Sequence, residues 1–205
     1  MARTKAGVRD QTRQKLLAAA AVEFARKGFD AANINEISLA AGFAKGTIYN
    51  YFASKRDLMQ ELVSESAVLH HAFITAQAGA EPDPLRRLER FFESGFAFVG
   101  ANLARMRVMV NIIYGADLRL KEHIFQAYQP LFAWVGREVV AYGVAAGCFR
   151  PVEPMAMGRL LLTLYLGTAS HVSDEGFFFI PAQQVAEFAR QALTQPAPPD
   201  AFQGA

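Results

Sequence analysis

The chain of 205 residues holds a single cysteine, Cys148. One thiol forms no internal disulfide and supports no multi-cysteine zinc or iron–sulfur site; its ordinary place is as a small buried hydrophobe. Long apolar runs are also missing. The longest, about Leu160 to Ser170, is interrupted by Thr and Gly and stops before His171, well short of the roughly 18 to 20 residues that span a bilayer. The N-terminus, MARTKAGVRDQTRQK, carries charges where a secretory leader needs an apolar stretch, so a cytoplasmic protein is expected. There is no G-x-S-x-G, no H-E-x-x-H and no phosphate loop, since Lys45-Gly46-Thr47 runs in the wrong order for one. The four histidines, His70, His71, His123 and His171, lack metal-ligand spacing. Neither an enzyme nor a bound metal or cofactor is expected. No segment alternates with a period of two, which argues against a sheet.

What the sequence does have is apolar material, 52% of the chain, enough for a sizeable core. It also has a charge asymmetry that the net +2 conceals. Residues 1–58 hold ten Lys and Arg against five acids, net +5, and the remainder eleven against fourteen, net −3. A small basic module followed by a larger apolar one implies two kinds of partner.

The periodicity is helical throughout. Leu16, Leu17, Ala20, Ala21, Phe24 and Ala25 share one face of a helix from Gln11 to Lys27, with Gly28 as its stop. Asn33 and Glu36 are spaced as a capping box for a short helix to about Ala41, and Gly42 supplies a turn. Lys45 to Phe52 reads as a third short helix, and Ser54 with Asp57 opens a long one to about Gln77. Further helices are expected over Pro84–Gly100, Leu103–Tyr114, Leu118–Ala145 with a kink at Pro130, Pro154–His171 and Ala182–Leu193. Phe177 to Ile180 reads as an apolar loop.

Two short helices about a glycine-containing turn, inside a basic module, form the arrangement of a helix-turn-helix DNA reader. On a wheel of about 100° per residue, Ala44, Ile48 and Phe52 face the core, and Gly46 and Asn50 lie opposite, flanked by Thr47 and Tyr49. Asn50 suits a base edge; Thr47, Tyr49, Tyr51 and Lys55 can reach phosphates or a thymine methyl. Lys55 stands at a helix N-terminus, where N–H groups and a cation together hold a phosphate. Arg3, Lys5 and Arg9 read as a flexible basic arm.

The stretch AANINEISLAAGFAKGTIYNYFASKRDL resembles the N-terminal signature of the TetR family of transcriptional repressors, with the likeness running from about Thr12 to Leu62. Its most specific parts are Ala41-Gly42, Lys45-Gly46-Thr47-Ile48-Tyr49, Tyr51-Phe52, Ser54-Lys55 and Asp57-Leu58. The resemblance implies a homodimer whose third helices enter successive major grooves of a near-palindromic operator, with a small-molecule inducer held in the C-terminal bundle. By position it makes Lys45, Gly46, Thr47, Tyr49 and Asn50 recognition-helix contacts and Tyr51 and Lys55 phosphate contacts. Asn33 caps and Asn35 faces DNA, although Ala44 replaces a common phosphate-binding Ser and Ala32-Asn33 a Thr pair. It further implies that the helix after Ser54 acts as a lever between ligand and DNA.

The expected architecture is all-α, about nine helices. Residues 1–10 are the basic arm, 11–58 a three-helix helix-turn-helix DNA-binding domain, 59–194 a ligand-binding and dimerisation bundle, and 195–205 a flexible tail. In the bundle Phe73, Phe92, Phe96, Met109, Asn111, Phe125, Tyr128 and Tyr165 are the candidate lining of an effector pocket, with plain helix packing as the competing reading. Leu160, Leu164, Val185, Phe188 and Ala189 are candidates for the dimer interface, which in the family the last two helices form. The expected function is a repressor released from a palindromic operator by a small, largely hydrophobic or aromatic effector. The alternative is a helical carrier of an apolar molecule that binds no DNA.

Overall fold

The computed structural model describes residues 5–173 and 175–194, so the expected tail from Gln195 and the first four residues lie outside the described part. Helices dominate it: α1 (Lys5–Ala31), α2 (Ile34–Ala40), a single 3-10 turn (Thr47–Asn50), α3 (Lys55–Ala78), α4 (Pro84–Ala101), α5 (Leu103–Tyr114) and α6 (Leu118–Trp134). A π-helical stretch (Val135–Ala141), α7 (Tyr142–Ala145), α8 (Pro154–Ala169) and α9 (Ala182–Thr194) complete it. Pairing between strands is limited, among the described residues, to one antiparallel bridge, Val172 to Phe178. Among those residues no single helix is long and apolar enough to cross a membrane.

Several local expectations need correction. Residues 5–10, read as a flexible arm, are the first turns of α1. Gly28, with φ 75 and ψ 177, breaks the helix as expected, and a short helical segment beyond the kink carries α1 on to Ala31. Asn33 does cap α2, but its side chain accepts from the N–H of Asn35 at 2.9 Å and not from Glu36. Glu36 turns instead to Lys27 at 2.7 Å, and Glu23 from α1 accepts the N–H of Asn33 at 3.4 Å. The capping box is thus assembled across two helices. Cys148 is half-buried rather than core.

The residues form two compact units. The first joins residues up to 68 with 102–127, so α5 and most of α6 belong with the N-terminal module rather than with the bundle. In it Leu16, Leu17, Phe24, Ile37, Ile48 and Leu58 make a dry core. Ion pairs knit its helices: Arg105 of α5 meets Glu65 of α3 at 2.7 Å, Gln14 of α1 donates to the same carboxylate at 2.6 Å, and Arg13 pairs with Glu61. The second unit comprises residues 69–101 and the chain from 128 onward. There α4 packs against α8 and α9, and α8 lies along the π-helical stretch. That contact is backbone on backbone: a Cβ on Gly158 would stand 2.7 Å from the nitrogen of Gly136.

Candidate nucleic-acid interface

The turn between α2 and the 3-10 turn is built by two left-handed glycines, Gly42 (φ 84) and Gly46 (φ 83). Other residues take up this conformation at a cost, and glycine does so freely. Buried Ser38 fixes the turn by donating from Oγ to the carbonyl of Ala44 at 2.8 Å. Gly46 also ends any helical continuation before it, so Ala44, expected on the core face, is exposed. Ile48 and Phe52 are buried as expected. The third helix is therefore shorter than the spacing predicts, starting at Thr47 and closing at Asn50.

Around this probe Asn35, Lys45, Tyr49 and Asn50 are exposed, Tyr49 to 56%, and Gly46, Thr47 and Tyr51 are half-buried. The side chains of Lys45, Tyr49 and Asn50 have no hydrogen-bond or ion-pair partner among the described residues. Arg9 stands 5.8 Å over the ring of Tyr51, which brings a residue of the supposed arm to the same surface. Asn33 is exposed but committed to its cap.

Lys55 is placed differently from a free phosphate ligand. Its Nζ donates to the carbonyls of Asp30 at 2.8 Å and Ala32 at 3.2 Å and lies 5.0 Å over the ring of Phe29. It neutralises the carbonyl end of α1, where a cation is favourable. Its neighbour Arg56 pairs with Asp117 at 2.9 Å, and that guanidinium, with the N–H groups of Leu120 and Arg119, holds the Asp117 carboxyl below its ordinary range. The Lys27 ammonium at 2.8 Å, then Arg26 at 2.9 Å, bring Glu23 down to about 2. Much of the basic charge in the first 58 residues is thus tied internally. Arg9, Lys15 and Lys45 have no acidic partner among the described residues.

The eight effector candidates are divided between the two units. Phe73, Phe92, Phe96, Tyr128 and Tyr165 belong to the second unit, Met109, Asn111 and Phe125 to the first. Phe73 and Phe125 are exposed, whereas Phe92, Phe96, Tyr128, Tyr165 and Met109 are buried. Inside the second unit a buried polar chain emerges whose centre, His70, had looked unremarkable in sequence. The Gly95 carbonyl accepts only, so Tyr165 donates to it at 2.9 Å. The Tyr165 oxygen then accepts from Nε2–H of His70 at 2.8 Å, which leaves Nδ1 to accept from Tyr128 at 3.4 Å. His70 also stacks on Phe98, with centroids 4.3 Å apart. Burial, and secondarily the neighbouring His71, lowers its pKa to about 3, so the ring is neutral; burial raises the phenols of Tyr128 and Tyr165. Gly95 is indispensable here, because a Cβ would stand 2.7 Å from the Tyr165 ring. Sequence carries no signal for this chain of groups, whose members lie up to 95 residues apart.

Of the dimer candidates, Leu160 (61% exposed) and Phe188 (63%) face outward, Leu164 is half-buried, and Val185 and Ala189 are buried within the chain's own unit. Phe177 (73%) and Phe179 (76%) are exposed on the connection between α8 and α9, while Phe178 packs on Phe96 at 4.8 Å.

Residues 16–62 match the family described as bacterial regulatory proteins, tetR family. The chain is 27% identical over 156 residues to the HTH-type transcriptional repressor KstR2 of Mycobacterium tuberculosis, spanning 71% of this chain and 73% of the relative. It is 31% identical over 143 residues to the probable acrEF/envCD operon repressor of Escherichia coli, 67% of this chain and 64% of that one. Among solved structures, the fatty acid degradation regulator FadR of Bacillus halodurans superposes with a TM-score of 0.77 at 19% identity, covering 88% of this chain and 98% of the other. FadR of Bacillus subtilis, solved with stearoyl-CoA, also gives 0.77, at 16% identity and the same coverage.

Proposed function

The chain belongs to the TetR family of bacterial regulatory proteins, and we propose that it is a transcriptional repressor that leaves its operator when a small, largely apolar effector occupies the second unit. The observation that carries this reading is the segment around Gly46, with Lys45, Tyr49 and Asn50 exposed and without a side-chain partner among the described residues. A solvated face without a DNA partner has no need for a turn fixed by two left-handed glycines and a buried serine.

In this reading Lys45, Arg9 and backbone N–H groups hold phosphates and set register, while Asn50 presents an amide to a base edge, the pairing suited to adenine. Two probes read a near-palindrome about one helical turn, about 34 Å, apart. The chain therefore acts as a homodimer, and the exposed Leu160 and Phe188 are the residues assigned to the contact. The effector is held among Phe92, Phe96 and Tyr165, with His70 as its polar neighbour. The stearoyl-CoA bound to the Bacillus subtilis FadR supports an acyl chain as the first effector to try. Such a molecule displaces DNA only by favouring a conformation whose probes are wrongly spaced, a coupling of about 1 to 3 kcal/mol, or roughly 5- to 150-fold in operator affinity. α3, with residues in each unit, is the element assigned to carry it.

The test is a protection assay on DNA upstream of the chain's own gene, followed by gel shifts against random sequence. Asn50→Ala is expected to lose about 1 to 3 kcal/mol of discrimination and little random-DNA affinity. An equal loss on both DNAs overturns its role. Sedimentation at the single-chain mass of 22.5 kDa at micromolar concentration overturns the dimer.

A further inference from the structure

The first unit contains a cleft that the reading above leaves unused. Its volume is about 500 Å³, within the range of about 300 to 1,000 Å³ typical of small-molecule sites. It opens between the last turn of α1, at Gly28 to Asp30, and the α5–α6 connection, at Gly115 to Asp117. Its walls are apolar and partly aromatic: Phe24, Phe29, Met59, Val108, Ile112 and Leu120. Its polar side chains are the carboxylates of Asp30 and Asp117, the Asn111 amide and the Tyr114 hydroxyl, and no Lys, Arg or His is among the lining residues. The Asp117 carboxylate is occupied by Arg56 and by the N–H groups that it caps, but that of Asp30 has no partner among the described residues. The C-terminal ends of α1 and α5 border the same space; Lys55 already meets the carbonyl end of α1, and the end of α5 keeps its negative partial charge. Two cations stand at its edge without being lining residues: Lys55 and Arg56 lie over the Phe29 ring at 5.0 and 5.4 Å, and Arg56 answers Asp117, so the lining carboxylate left without a cation among the described residues is that of Asp30.

An apolar, aromatic cavity with an unpaired carboxylate and the carbonyl-rich end of α5 suits an organic cation. We propose that this cleft is a second effector site, distinct from the aromatic core of the second unit, and that it takes a small ammonium compound with an aromatic or aliphatic body. Its occupancy is felt at the DNA probe through contacts already described. Asp30 supplies the carbonyl on which Lys55 rests, Asp117 holds Arg56, and Phe29 lies under both cations, Arg56 at 5.4 Å. Those contacts fix the start of α3 against α1, immediately after the probe. A third cation beside Asp30 repels Lys55 and Arg56 from these positions and loosens that seat, which weakens operator binding. This second step rests on the repressor reading; the binding itself does not.

The experiment titrates the full chain, free of DNA, by calorimetry with three probes of one skeleton: 4-phenylbutylammonium, 4-phenylbutanol and 4-phenylbutanoate. The ammonium is expected to bind once per chain, about tenfold more tightly than the alcohol, and the carboxylate not at all. Asp30→Asn, an exposed change that breaks no ion pair, weakens the ammonium about three- to fivefold and leaves the melting temperature unchanged. Ala116→Phe, at an exposed lining position, blocks the ammonium and the alcohol alike. Equal affinity across the probes, no binding, or indifference to Asp30→Asn overturns the site. Gel shifts with saturating ammonium then show operator affinity falling fivefold or more, on the order of the smallest common coupling. Unchanged or tighter operator binding overturns the coupling while leaving the site, and a chain that binds no operator without any probe counts against the repressor reading alone.

Discussion

The interiors of the two units rest on different physics. Between the helices of the first run ion pairs, Arg105 with Glu65, Arg13 with Glu61 and Arg56 with Asp117. The second is joined by rings and neutral hydrogen bonds around His70, Phe98, Tyr128 and Tyr165. Its one buried guanidinium among the described residues, Arg87, donates to the carbonyls of Glu81 and Glu138 at 2.8 and 2.9 Å and lies over the Tyr142 ring. It is 3.9 Å from the half-exposed Glu138 carboxylate, the second unit's ion pair between elements among the described residues. On the proposed reading the first unit meets a polyanion and needs charges whose balance responds to it, and the second receives an apolar molecule and needs a dry interior whose few polar groups satisfy one another.

The contrast is broken most directly at Gly95. Gly95→Ala drives a methyl into the Tyr165 ring, and a stability loss of about 3 kcal/mol is expected in urea unfolding; a loss under 1 kcal/mol would mean that the ring shifts freely and that the second interior is not rigid. Next in size is a pH effect. His70 stays neutral in the folded chain down to about 3, whereas unfolded histidine takes a proton below about 6.5. The unfolded state thus binds more protons in that window, so stability is full above about pH 6.5 and falls as the pH drops toward 3. Roughly 2 kcal/mol is lost between about pH 6.5 and 5. His70→Asn should flatten that slope in thermal melts taken across the window, and an unchanged slope would place the titration elsewhere. Asn33→Ala removes the α2 cap and should cost about 1 kcal/mol, read as earlier melting of the first unit by hydrogen exchange. The smallest effect separates two lysines. Lys45→Ala lowers the salt slope of operator binding by about 0.9. Lys55→Ala, with its ammonium already seated on carbonyls, moves that slope less and shows instead as lost stability of the α1 terminus.

Much of this was legible in the sequence. Helix positions follow from apolar spacing and from Pro84, Pro154 and Gly42, and the bounds of α5 coincide with those expected. The proposed DNA probe was legible because its signals are local: a cap at Asn33, the turn glycines Gly42 and Gly46 and the cation Lys45 all lie in one short stretch of chain. What escaped was set by distance. The partner of Lys55 lies 25 residues back, at Asp30, and that of Arg56 lies 61 residues on, at Asp117. Charge counting treats such cations as free. The neutral His70 chain and the cleft beside Asp30 escaped for the same reason, since each is assembled from helices remote in sequence.

One further consequence lies in the π-helical stretch Val135–Ala141. Five-residue hydrogen bonding there leaves the chain about one residue out of phase with the helix it prolongs, a rotation of about 100°. After that rotation Gly143 abuts the Phe149 ring with no space for a methyl group, and Arg150 reaches the carbonyls of Ala192 and Leu193 at 2.9 and 2.8 Å. Deleting one residue from the stretch would turn all of these to the wrong side. The interval from Pro130 to Arg150 is therefore a length that a lineage must keep even while the letters inside it drift.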